Sequence, residues 1–295
     1  AFTSTGTFTV TQLADTNEFE VLLVAGGAGP GTQWAAGGGG GGGIINHQTG
    51  QALSAVAYDV VIGAGGAGAG ASSTTPWDIT AGNQGSDSNL HVNSNSSIVL
   101  EADISDIANL PGMSLSQPQA NNKHSWNVYM HSTGGNSAKV VNGTTTQYTG
   151  SGGWHQTGYA GGGAGSGHNG YQVHCANDPA PSGYSYTPSW ASCGVASAGG
   201  YGGEGYDTDM VSGSTAYYGG GGGAGTQANG IPGLNNYVAL GGAGGGGNGS
   251  CYGTGGGLQA SSGTANTGGG GGGGSSGKGA GNGGSGVAYI KYKYQ

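Results

Sequence analysis

Residues Phe19–Gly29 read FEVLLVAGGAG, six residues of strand character passing without a break into a glycine tract. The apolar run Phe19–Val24 has the length and the Val/Leu content of a β-strand. The tract cannot continue it in the ordinary way, because glycine brings no side chain to pack in a sheet. Nor can it turn helical, at a cost of about 1 kcal/mol per glycine relative to alanine. The same composition recurs in ten tracts: Ala25–Gly31, Gly37–Gly43, Gly63–Gly70, Gly161–Gly167, Gly199–Gly205, Gly219–Gly225, Gly241–Gly249, Gly253–Gly257, Gly268–Gly274 and Gly277–Gly286. Gly37–Gly43 is glycine throughout.

A run of this kind fits the extended helix with three residues per turn and about 3.1 Å rise, in which seven residues span roughly 22 Å. Its N–H and C=O groups point outward. Many such helices side by side pair those groups laterally, which meets the requirement that buried backbone groups find partners. Ala25 and Ala28, and likewise Ala64 and Ala67, fall three apart, as alanines on one side of an outer helix would; Ala69 breaks the pattern. The competing reading is a set of flexible linkers.

The expected fold is therefore mostly irregular and β, a bundle of packed polyglycine II helices bracketed by paired N- and C-terminal strands and interrupted by long loop insertions. The brackets are Gly6–Val10 (GTFTV) with Phe19–Val24 at one end and the alternating Val287–Tyr294 (VAYIKYKY) at the other. Residues 1–295 form one glycine-rich domain on this reading. Residues 71–160 form a β-rich insertion within it, carrying strand-like Ile98–Ile104, Trp126–Met130 and Lys139–Val141. No helix is expected.

Composition limits the alternatives. Of 295 residues 75 are Gly, against an average usage of about 7%. Collagen requires Gly at every third position with abundant Pro, and only 8 Pro are present. Disorder favours high charge and few aromatics, whereas charged residues are 6% and the chain holds 16 Tyr and 5 Trp. The five lysines, Lys123, Lys139, Lys278, Lys291 and Lys293, form no stripe and there is no Arg, which argues against nucleic-acid binding. No run approaches the roughly 18 apolar residues of a membrane span, so membrane insertion is not expected. The start at Ala1 reads as a processed product or as part of a longer polypeptide.

Catalytic motifs match by chance at this glycine density. Gly272–Lys278 (GGGSSGK) fits a phosphate-binding loop, but Gly279 stands where a Ser or Thr would hold magnesium. Gly273–Gly277 (GGSSG) fits a nucleophile elbow centred on Ser275 without its strand–turn–helix context. The seven histidines show no metal-site spacing, and the carboxylates Glu101, Asp103 and Asp106, or Glu204, Asp207 and Asp209, lack the EF-hand pattern. No enzyme, cofactor or metal is expected. Cys175 and Cys193 are 18 apart and are the disulfide candidate; a reduced, intracellular chain is the other reading.

The aromatics concentrate between the tracts. Trp77, Trp126, Tyr129, Trp154, His155, Tyr184, Tyr186, Trp190, Tyr217 and Tyr218 are the candidate contact residues. Rigid aromatics among Ser, Gly and Asn make up the composition of a binding surface, and sugars stack on aromatic faces. The alternative for each residue is packing within its own loop.

FTSTGTFTV at the start, VLLVAGGAG at Val21–Gly29 and GGSGVAYIKY at Gly283–Tyr292 resemble the glycine-rich domain of phage tail fibres and some bacterial surface proteins. Glycine-rich motifs alternating with variable segments also look like the tip adhesins of T-even-type long tail fibres. That resemblance implies a polyglycine II sandwich with host-binding loops at its end, in a virion tail fibre or another extracellular appendage. Its implied partners are a host-cell surface glycan or outer-membrane protein, and other fibre subunits. An ice-binding protein and a purely structural fibre protein are the alternative functions.

Overall fold

The computed structural model describes residues 1–13, 18–33, 37–71, 79–80, 82–102, 134–150, 162–171, 200–227, 238–252, 257–275 and 277–292. Among them there is no helix. Strands β1 (Gly6–Thr9), β5 (Ala57–Val61), β7 (Ser88–Val92) and β8 (Ile98–Ala102) form a four-stranded antiparallel sheet in that order. A five-stranded sheet runs β10 (Thr144–Tyr148), β9 (Ser137–Val141), β4 (Ile45–Gln51), β2 (Phe19–Val24), β15 (Val287–Tyr292). Its pairs are antiparallel except β4 with β9. The strands between residues 71 and 160 thus extend the sheets of the surrounding chain. Three two-stranded pairs complete the β structure: β3 (Thr32–Gln33) with β6 (Ile79–Thr80), β11 (Tyr206–Thr208) with β12 (Ala216–Tyr218), and β13 (Thr226–Gln227) with β14 (Cys251–Tyr252).

The continuous apolar run of β2 is explained by burial on both faces. Val21 and Leu23 point into the space between the two large sheets, with Tyr58, Val60, Leu90, Ala102 and Ala288. Leu22 and Val24 point the other way, onto Met210 and Tyr218 of the β11–β12 hairpin, with Ile45 and Val287. β15 alternates to match, Ala288 and Ile290 facing the first core and Val287 and Tyr289 the second. Phe2 pairs with Ala288 on the open side of β15 through two backbone bonds of 2.7 and 3.0 Å, so the chain start straps the edge of one sheet before entering the other as β1. Phe8, Phe19, Tyr58 and Tyr292 close the sandwich with ring centroids 5.8–6.5 Å apart.

Among the described residues the tracts are neither strand nor helix, and most of their hydrogen bonds run to neighbouring tracts, several with a period of three. Gly37, Gly40 and Gly43 donate to Gly274, Gly271 and Gly268. Ala280, Gly283 and Gly286 donate to Ala69, Gly66 and Gly63, and Gly220, Gly223 and Thr226 to Gly244, Gly247 and Ser250. Tract 268–274 bonds to six surrounding segments, those containing Ala28, Gly40, Gly223, Gly247, Ser261 and Gly281. Burial follows the same period where a tract lies at the surface: positions 63, 66 and 69 are buried while 64, 67 and 70 are exposed. Tracts 37–43, 219–225 and 268–274 are buried throughout. The alanine expectation is corrected here. Ala64 and Ala67 do lie on an outer side, but Ala25 and Ala28 are buried, and the Ala25 methyl belongs to the sandwich core.

Where a peripheral tract lacks a neighbour, an asparagine side chain takes its place. Gly68 N–H donates to Asn282 Oδ1 at 2.9 Å, Gly241 to Asn248 Oδ1 at 3.0 Å and Gly150 to Asn136 Oδ1 at 3.0 Å.

Candidate functional site

The bundle has two unlike ends. At one, tracts run directly into strands: Val24 into Ala25, Gly43 into the segment of β4, Gly286 into Val287. At the other, Gly31, Gly37, Gly225 and Gly274 share a level, tied by Gly37 to Gly274 (2.6 Å), Gly225 to Gly37 (2.8 Å) and Gly274 to Gly31 (3.4 Å). Thr32 Oγ1 donates to Gly70 O at 2.8 Å, and Ala224 N–H to Gly200 O at 3.0 Å, which adds Gly70 and Gly200 to this end. Gly162 donates to Tyr171, and Gly135, next to Gly134, donates to Gly39.

Most of the candidate contact residues lie outside the described residues: Trp77, Trp126, Tyr129, Trp154, His155, Tyr184, Tyr186 and Trp190, and with them Cys175 and Cys193. Three of their four segments leave and rejoin the described chain away from the large sheets: 72–78 after Ala71, 151–161 between Gly150 and Gly162, and 172–199 between Tyr171 and Gly200. The fourth, 103–133 with Trp126 and Tyr129, leaves from Ala102 on β8 of the four-stranded sheet and rejoins at Gly134. Tyr217 and Tyr218 lie on β12, at the sheet end. Tyr217 is 40% exposed. Tyr218 is buried; its ring meets Tyr289 edge-on at 5.7 Å and its hydroxyl donates to Tyr289 Oη at 3.1 Å. It is a core residue of the hairpin, so at this position the available contact surface is Tyr217 alone.

A second constellation had no sequence signal, because its members are spread over six strands. Across the five-stranded sheet, Tyr148, Lys139, His47, Glu20 and Lys291 come one from each strand, and Tyr206 of β11 lies over them. His47 sits between Tyr206 Oη, 2.7 Å from Nδ1, and Glu20 Oε1, 3.0 Å from Nε2. Lys291 reaches the other Glu20 oxygen at 3.5 Å, and Lys139 Nζ stands over the rings of Tyr206 at 5.3 Å and Tyr148 at 5.6 Å. Burial, and then the charges of Asp207, Glu20 and Asp209, raise the Tyr206 phenol above its ordinary pKa. A phenol shifted in this direction keeps its proton to higher pH than a free tyrosine. The row ties the hairpin to the sheet.

The motif residues resolve in the same manner. Ser275 is fully buried, with Ser250 Oγ donating to its Oγ at 2.7 Å. Gly272, Gly273 and Gly274 spend their amides on Ser261, Gly223 and Gly31, leaving none of these N–H groups to cradle a phosphate. Among the described residues no group of His, Cys, Asp and Glu side chains is placed to hold a metal, and no helix is long and apolar enough to cross a membrane.

Glycine tracts bonded laterally to one another and continued by two β-sheets define a glycine-rich structural class. The chain belongs to the glycine-rich domain family, whose model matches residues 3–293. No curated protein and no solved structure matches it.

Proposed function

We propose that the tracts are packed polyglycine II helices bracketed by the terminal strands, and that this scaffold serves a receptor-binding protein of a phage tail fibre or similar extracellular appendage. The helix reading is supported by the three-residue period of bonding and burial. One observation carries the binding reading: the segments bearing six of the eight candidate aromatics outside β12, Trp77, Trp154, His155, Tyr184, Tyr186 and Trp190, meet the described chain at both ends away from the large sheets. A rigid base with aromatic-rich, low-charge segments gathered at one end is suited to gripping a cell-surface glycan or outer-membrane protein by shape and stacking. Other fibre subunits are the second class of partner on this reading.

The test is binding of the labelled, purified chain to panels of bacterial cells and surface glycans. Joint replacement of Trp77, Trp126, Trp154 and Trp190 by Ala removes binding at least about tenfold, as expected for hot-spot aromatics, while circular dichroism stays unchanged. Unaltered binding by that variant contradicts the reading. Ice binding is the second reading, favoured by the exposed row at Ala64, Ala67 and Gly70. Thermal hysteresis by the purified chain decides for it.

A further inference from the structure

The edges of the two large sheets are not equally guarded. β15 is strapped by Phe2 and carries Lys291. β8 carries Glu101, faces a register shift in β7, and has its Glu101 carbonyl capped by Asn46 Nδ2 at 2.7 Å. β1 has only four residues, one of them Gly6. Straps, charges, bulges and short length are the devices by which edge strands avoid pairing. β10 has none of these: Thr144–Tyr148 reads TTTQY, with no charge, no Pro and no bulge, and its three threonines are exposed. Lys139 of the neighbouring β9 is turned onto the Tyr148 and Tyr206 rings.

The hairpin fixes which groups point outward. Asn142 and Gly143, both at positive φ, make the two-residue turn of β9 and β10, so Val141 and Thr144 form a hydrogen-bonded pair. The alternation of an antiparallel ladder then assigns Thr144, Thr146 and Tyr148 to β9 and turns the N–H and C=O of Thr145 and Gln147 outward. No described residue bonds those outward groups.

We propose that β10 pairs antiparallel with β10 of a second copy of this chain. A twofold axis at Thr146 sets Thr145 opposite Gln147 of the second copy and Thr146 opposite itself, giving four backbone hydrogen bonds and a continuous ten-stranded sheet. The occupant is a second copy because the strand is self-complementary: it brings no like charges together in a chain of net charge −8 and sets threonine against threonine at the centre. The inference stands independently of any receptor-binding role.

Sedimentation equilibrium of the full chain up to about 1 mM, where small interfaces associate, reads the outcome. The wild type forms dimers. Thr145→Pro removes an outward N–H without touching the β9 ladder, and Thr146→Lys sets two lysines face to face. Each raises the dimer dissociation constant at least about tenfold, while thermal unfolding reports whether the fold is kept. A wild type that stays monomeric overturns the proposal, and so does a correctly folded variant of either kind that dimerises as tightly as the wild type.

Discussion

Gly272 and Gly70 lack a side chain under opposite conditions. A Cβ built on Gly272 would overlap the carbonyl of Asn248, which belongs to a neighbouring backbone and cannot turn aside. At Gly70 the same carbon meets nothing within 4 Å and φ is not in the left-handed region. Close approach of backbones, not freedom of rotation, therefore fixes the interior glycines. Gly272→Ala is expected to destabilise by more than about 3 kcal/mol, beyond ordinary overpacking. Gly70→Ala is expected to be neutral or to stabilise by up to about 1 kcal/mol, through the reduced entropy of the unfolded chain. Denaturant unfolding of the two variants separates these outcomes, and equal effects would contradict the packing.

At the scale of elements, the β11–β12 hairpin is held to the sheet by apolar burial of Met210 and Tyr218 and by the Tyr206–His47–Glu20 bonds. Burial, together with the hydrogen bond and charge of Tyr289, raises the Tyr218 phenol well above the ordinary tyrosine value. The linkage follows from the sign of that shift. Below about pH 10 the phenol is protonated in both states and its contribution is fully present. Above that pH the unfolded chain releases the proton first, so stability falls until the folded phenol also ionises. Tyr218→Phe is expected to make the decline above about pH 10 shallower in denaturant titrations, and an identical slope would show that Tyr218 does not titrate as described.

Much at this scale was legible in the sequence. The length and composition of FEVLLV and the alternation of VAYIKY marked β2 and β15, because strand periodicity is local. That β2 is buried on both faces was not legible: its second cover, Met210 and Tyr218, lies nearly two hundred residues downstream. Composition likewise grouped Tyr218 with Tyr217, and only the packing of β12 separates a core ring from an exposed one. The row from Tyr148 to Lys291 was invisible for the same reason, since it exists only once five strands are in register.

For the molecule as a whole, stability rests on an exchange between glycine entropy and lateral hydrogen bonding. Each glycine gives up more backbone freedom than any other residue, and each lateral bond returns only about 0.5–1.5 kcal/mol net. Leaving a buried amide unpaired costs about 1–3 kcal/mol, so a tract that is buried must bond to its neighbours at nearly every turn. Asparagines 136, 248 and 282 meet that demand at the periphery. The two sheets and the hairpin supply the apolar burial that the tracts cannot. Amide hydrogen exchange of the purified chain, resolved by residue, tests this account most directly. In the edge tract the amides of Gly66 and Ala69, bonded to Gly27 and Pro30, are expected to exchange slowly, and those of the exposed Ala64 and Ala67 fast. Slow exchange throughout Gly37–Gly43 and Gly268–Gly274 should accompany this period of three. Uniformly fast exchange across all the glycine tracts, as flexible linkers would give, would contradict it.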